Sequence, residues 1–165
     1  LRAIRPEDAP TLQDFVRGLS EEARYFRFVA SVKELSQRQL ARYTQIDYWR
    51  DMALVAEVDS PVPASANGEA ATSARRFAGV ARYMLNADGR SCEFAIAIDD
   101  AWQGKGLGHQ LMQSLIDVAR SRGLTHMEGM VLAQNGKMLK LMQRLGFSVR
   151  PDPEDGSMML VGREL

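Results

Sequence analysis

Cysteine is nearly absent from this chain: Cys92 is the single instance in 165 residues. An intrachain disulfide and a cysteine-based metal site are both excluded. The two histidines, His109 and His126, lie apart in sequence without partners and make no metal site. A charge of one sign is also missing. The 21 basic and 21 acidic residues cancel, so no global field argues for nucleic acid or an anionic membrane. Lysine is scarce, 4 residues against 17 arginines, and a coding bias explains that more simply than a function. No apolar run is long enough to span a bilayer, and no signal peptide opens the chain. A soluble, cytoplasmic protein is the expectation. What the chain does have is 45% apolar residues at a length that fits one globular domain with a real core. It begins at Leu1 and leads straight into an apparent strand, so a domain cut from a longer chain is expected.

Hydrophobic periodicity divides the chain into alternating elements. Leu1 to Ile4 reads as a short strand. Pro6-Glu-Asp opens a helix to about Leu19, with Pro in its first turn and acids complementing its dipole. Ser20-Glu-Glu starts a second helix carrying Tyr25, Phe26 and Phe28, and Ser36 to Thr44 forms a third. Strands are expected over Asp51 to Val58 and Arg75 to Leu85. A flexible hairpin loop at 59–74, rich in Ala, Ser and Pro, joins them. Asn86-Ala-Asp-Gly89 turns the chain into a strand at Cys92–Ile98. A helix with Leu107, Leu111, Met112, Leu115, Ile116 and Ala119 on one face follows, then a strand from Thr125 to Leu132. Met138, Leu141, Met142 and Leu145 mark a short helix closed by Gly146. Phe147 to Arg150 and Met158 to Arg163 read as a final strand pair.

The most informative stretch is Gln103-Gly-Lys-Gly-Leu-Gly108, because a strand precedes it and a helix follows. A strand that turns through glycines into a helix N-terminus is a ready-made anion site: main-chain N–H groups face outward and the helix dipole adds positive charge. Lys105 adds a full charge to the same loop. Phosphate or pyrophosphate is the expected guest. The nucleoside-triphosphate string Gly-x-x-x-x-Gly-Lys-Ser/Thr does not occur. The dinucleotide fingerprint fails as well, since its third glycine would fall on His109.

What remains is Gln-x-x-Gly-x-Gly, matched at Gln103, Gly106 and Gly108. It resembles the pyrophosphate-binding loop of the GCN5-related N-acetyltransferases (GNAT), which hold acetyl-CoA. Asn135 and Leu145-Gly-Phe147 are two further hallmarks, and the resemblance runs from Ile4-Arg-Pro-Glu-Asp8 to Phe147. It implies a single α/β domain with a mixed, mainly antiparallel central sheet flanked by helices. More narrowly, the chain looks like the C-terminal acetyltransferase domain of bacterial protein lysine acetyltransferases, which follows a region resembling ADP-forming acyl-CoA synthetases. Arg5-Pro-Glu-Asp8, Tyr25-Phe-Arg-Phe28, Gln45-Ile-Asp47 with Met52-Ala-Leu-Val-Ala56, and Glu93-Phe94 before Asp99-Asp-Ala-Trp-Gln103 carry that narrower likeness.

By this resemblance, acetyl-CoA is the cosubstrate and no metal is needed. The main chain around Ala97 and Ile98 would hold the thioester end, and one N–H there would stabilise the oxyanion. Gln103, Gly104, Lys105, Gly106, Leu107 and Gly108 would hold the pyrophosphate, with Asn135 and Met138 lining the channel. Strand parity puts Cys92, Phe94, Ile96 and Ile98 on a core face and Glu93, Ala95, Ala97 and Asp99 on the other. The acceptor amine must be neutral to attack. For a lysine of pKa about 10.4, that costs roughly 4–5 kcal/mol near pH 7. Glu93 is the candidate base, because the family's protein-acetylating members place a glutamate at or near this position. An ordinary carboxylate is a weak base, so an apolar setting around Glu93 is expected. The bland alternative is a strand carboxylate paired with an arginine such as Arg82. Where many relatives have a tyrosine to protonate the leaving thiolate, this chain has Met142. A thiolate of pKa about 8.5 leaves acceptably without that proton.

Cys92 reads as an inert core thiol, Trp102 as a buried anchor of the turn, and His109 as a surface residue near the phosphates. Three functions stay open. The leading one acetylates the ε-amine of a lysine on a partner protein, such as an acyl-CoA synthetase. The others are acetylation of a small amine and non-catalytic acyl-CoA binding.

Overall fold

Alternation of apolar and small or polar residues writes the central strands, and each face of the resulting sheet acquires its own core. The computed structural model describes residues 1–61 and 73–165. Its strands are β1 (Arg2–Ala3), β2 (Asp51–Pro61), β3 (Ser73–Leu85), β4 (Ser91–Ile98), β5 (His126–Leu132), β6 (Ser148–Pro151) and β7 (Met158–Glu164). They form one sheet in the order β1-β2-β3-β4-β5-β7-β6. Every pairing is antiparallel except β4 with β5, which is parallel. This is the single α/β domain with a mixed, mainly antiparallel sheet that the sequence implied.

Among the described residues, five helices cover the two faces: α1 (Ala9–Gly18), α2 (Glu21–Phe28), α3 (Gln37–Thr44), α4 (Leu107–Ser121) and α5 (Gly136–Arg144). Leu111, Met112, Leu115, Ile116 and Ala119 of α4 are fully buried against Cys92, Phe94 and Ile96. Burying each such side chain stabilises the fold by about 1.5–3 kcal/mol. On the opposite face, Leu12, Phe15 and Val16 of α1 pack with Leu40, Val55, Phe77 and Val80, and Ala97 joins them. The parity read from the β4 sequence therefore matches the two cores.

Local chemistry sets the element ends. Ser20 and Ser36 cap α2 and α3, accepting from Ala23 N at 3.1 Å and Gln39 N at 3.1 Å. Gly146, at φ +79°, closes α5: its N–H and that of Phe147 donate to Gln143 O and Met142 O, at 3.0 and 2.9 Å. The helix expected from Pro6 is divided into a single 3-10 turn at Pro6–Asp8 followed by α1. The cause is Asp8, whose buried carboxylate takes Arg5 N–H at 2.8 Å and both terminal nitrogens of Arg2 at 2.8 Å. Of the expected 59–74 loop, Asp59–Pro61 and Ser73–Ala74 belong to the paired strands β2 and β3. The rest of that loop lies outside the described residues.

The topological event that matters is where β4 and β5 part. Their register covers only Ser91–His126, Cys92–Met127 and Glu93–Glu128. The next residue, Phe94, lays its ring against Gly129 of β5, where an added Cβ would come within 2.6 Å of the ring. That ring meets Phe147 edge-on at 5.4 Å. Beyond this wedge, β4 has a partner on one side only.

Candidate active site

Two hydrogen bonds fix which main-chain groups of β4 are left over. Asn86 N–H donates to Ser91 O and Asp99 N–H to Ala78 O, at 2.9 and 2.8 Å. An antiparallel ladder alternates, so the groups of Glu93, Ala95 and Ala97 also turn toward β3. Those of Phe94, Ile96 and Ile98 turn toward the gap. A cleft of about 770 Å3 occupies this gap, bounded by Phe94–Ile98 of β4, Met130 and Val131 of β5, and residues of α2, α4 and α5. The Ile98 carbonyl already accepts from Gln103 Nε2 at 3.4 Å, which ties the strand to the loop beyond it.

At one end of the cleft lies that loop. Gly104 and Gly106 adopt left-handed φ values of +74° and +83°, and Gly106 is the N-cap of α4. Among the described residues, no hydrogen bond takes up the N–H of Gly104, Lys105, Gly106, Leu107, Gly108 or His109. A run of free amides at a helix N-terminus is the arrangement that binds phosphate oxygens. Gly108 has a different task. An added Cβ there would sit 3.1 Å from Leu141 Cδ2, so the missing side chain lets α5 approach α4.

The expected cofactor residues divide in two. Ala97, Ile98, Gln103, Gly104, Gly106, Gly108, Asn135 and Met138 all line the cleft. Leu107 packs its side chain against the core instead, and the Lys105 ammonium stands 5.4 Å over the Trp102 ring. What both residues leave open in the loop is their main-chain N–H. Asn135 caps α5, its Oδ1 accepting from Met138 N at 3.3 Å. His109 is exposed on the cleft wall.

Glu93 departs from expectation. It is exposed, outside the cleft lining, and next to Glu128 rather than in an apolar pocket. The physical reason is that its neighbours in register, Met84 and Glu128, are themselves exposed, whereas α2 packs over β4 further along. Four residues of strand separate Glu93 from Ala97, roughly 13 Å. Any proton it takes from an amine near Ala97 must pass through water. Nor is Arg82 its partner: that guanidinium donates to Tyr43 O at 3.3 Å and stacks on the Tyr43 ring at 4.4 Å.

Several cleft residues carried no signal strong enough to single them out. Lys137, Lys140 and Arg144 line it from α5 at three- and four-residue spacing, which places three cations on one helix face. Glu22, Phe26 and Arg27 come from α2. Arg27 is half-buried, 4.8 Å from the Phe28 ring centroid and 6.0 Å from that of Tyr43, and burial pushes its guanidinium down. Arg82 is also pushed down, to about 10, first by burial and then by the charge of Arg27.

The remaining candidates are structural. Cys92 is fully buried, and burial pushes its thiol up to about 12, so it is no nucleophile. Met142 is fully buried, so the position holds no acid. His126 Nδ1 lies 2.9 Å from Glu164 Oε1, and no cluster of metal-binding side chains occurs among the described residues. No helix among them is long and apolar enough to cross a membrane.

Comparisons with known proteins agree with this geometry. The model of the Acetyltransferase (GNAT) family matches residues 20–147. Acetyltransferase PA5475 of Pseudomonas aeruginosa is 36% identical over 160 residues, 97% of this chain and 80% of that protein. The L-methionine sulfoximine/L-methionine sulfone acetyltransferase of the same species is 38% identical over 72 residues, 44% of this chain and 39% of its own. Among solved structures, the GNAT domain of S. lividans PAT superposes with a TM-score of 0.83 at 26% identity, covering 99% of this chain and 89% of that one.

Proposed function

The chain belongs to the acetyltransferase (GNAT) family and uses acetyl-CoA, and we propose that its acceptor is the amine of a small molecule. The observation that carries this reading is the shape of the acceptor end of the cleft. Beside Ala97, which with Arg27 lines both cavities, lies a second, small crevice of about 20 Å3 walled by α1, Tyr43, Arg27 and Arg82. Several relatives, such as the methionine sulfoximine/sulfone enzyme, are named for small amino-acid-like acceptors.

The cofactor follows from the donor set. Acetyl-CoA carries a pyrophosphate, a third phosphate and a peptide-like pantetheine arm. The free amides at Gly104 to His109 suit the pyrophosphate. Lys137, Lys140 and Arg144 suit the third phosphate, and the unpaired edge of β4 at Ile96 and Ile98 suits the arm. When bound, the thioester supplies the acetyl group. This chain's residues then orient it, and an Ile96 or Ile98 N–H polarises its carbonyl. Glu93 takes the amine proton through water at the mouth of the cleft.

A protein lysine is the second reading. It is favoured by exposed Met84 and Glu93, paired in register near the point where β4 and β5 part, a surface on which another protein could lie. Mass spectrometry of a bacterial lysate incubated with the protein and labelled acetyl-CoA separates the two. Label on small amines supports the first reading, and label confined to protein lysines overturns it.

A further inference from the structure

We propose that Arg27 and Arg82 together bind a carboxylate of the acceptor, so that the acceptor is an amino acid; this deepens the small-acceptor reading and rests on it. Buried charges are ordinarily paired. Arg82 is only 8% exposed. Yet among the described residues no carboxylate comes within 4 Å of its guanidinium or of Arg27's. Its one side-chain hydrogen bond inside the protein, to Tyr43 O, leaves donors with no protein acceptor, and those donors are open to solvent rather than sealed in the core, so an incoming ligand can reach them. Asp51 acts on Arg82 only from beyond ion-pair distance.

Two cations over one tyrosine ring repel each other, and partial burial weakens the screening by water. An anion between them relieves both penalties. A carboxylate fits best, because the planar guanidinium fork matches its two oxygens. Both arginines border the small crevice, whose other walls are mostly apolar and whose volume of about 20 Å3 admits part of a carboxylate head, the rest lying toward the cleft. Its position is equally specific. Arg27 and Ala97 border both the crevice and the cleft, and Arg82 lies opposite Ala95 in the ladder. A carboxylate held there leaves an amine on the adjacent carbon facing the β4 edge.

The test measures thiol release from acetyl-CoA with the common α-amino acids, their α-carboxamides and their decarboxylated amines. It is repeated for Arg27→Gln, Arg82→Gln and Arg82→Met, with CoA affinity followed by calorimetry. The proposal expects at least one amino acid whose kcat/KM exceeds that of its carboxamide by roughly 10- to 100-fold. Each Arg→Gln change erases that preference while CoA affinity is kept. Arg82→Met matches or exceeds the parent in thermal stability, since it removes an uncompensated buried charge. A purely structural arginine would lower stability and leave the acid-to-amide ratio alone. If an Arg82 variant does not fold, Arg27→Gln on the half-buried α2 carries the test. Equal rates for acids and amides sink the carboxylate site but spare the small-acceptor reading. No turnover of any small amine overturns both.

Discussion

Asp100 accepts two hydrogen bonds from Ser20, one from the main-chain N–H and one from the hydroxyl, both at 2.9 Å. Ser20 caps α2, and Asp100 opens the 3-10 turn that leads into the glycine loop. The pair therefore links the helix that brings Arg27 to the cleft with the loop that offers free amides. Asp100→Ala breaks that link at a cost of about 1 kcal/mol of stability. Thermal unfolding should record this modest loss, and steady-state kinetics should show KM rising several-fold for both acetyl-CoA and the acceptor.

Gly106 holds φ +83° with nothing within 4 Å of a would-be Cβ. A side chain there fits the space but strains the backbone, at about 1–3 kcal/mol for a left-handed non-glycine residue. Gly106→Val relieves that strain by moving the loop, which scatters its amides. Calorimetry should find CoA affinity weakened by at least tenfold, while circular dichroism shows the fold retained.

Glu93→Gln keeps shape and removes the proton acceptor. If Glu93 draws the amine proton through water, kcat falls by about 100-fold with the KM for acetyl-CoA unchanged, in line with general-base contributions. An unaltered kcat assigns the task to another group, with Glu22 on the cleft wall the first to examine.

Much of this was legible in the sequence, and the parts that were not share a cause. The glycine loop, the parity of β4 and the Gly146 helix stop are local: neighbouring residues specify them, so spacing reveals them. Arg27 and Arg82 sit on α2 and β3, and only Tyr43 of α3 brings them together. No window of sequence contains that triad. The setting of Glu93 was misread for the same reason. Whether one end of a strand face is covered depends on where a distant helix lies, and α2 leaves Glu93 open. The placement of the Lys105 ammonium 5.4 Å over the Trp102 ring depends on how the turn folds, which spacing alone does not reveal.

The Arg2–Asp8 pair gives a pH signature independent of catalysis. The Arg2 guanidinium, by hydrogen bonding, holds the Asp8 carboxyl below its ordinary value of 3.8. A lowered carboxylate pKa stabilises the fold above the unfolded value and loses that contribution as pH falls through the folded one. Asp8→Asn should cost about 1.5–3 kcal/mol at pH 7. Its stability curve should begin to approach that of the parent as pH falls below about 4 and meet it only once pH is below the lowered folded value of Asp8, which urea unfolding across a pH series measures.

The most direct test follows the backbone amides between Gly104 and His109 by two-dimensional NMR while coenzyme A is added. Large, saturable shifts concentrated in those six amides and in Ile96 and Ile98 are predicted, with 3′,5′-ADP reproducing the loop shifts alone. A titration that saturates while those resonances stay in place would contradict the account.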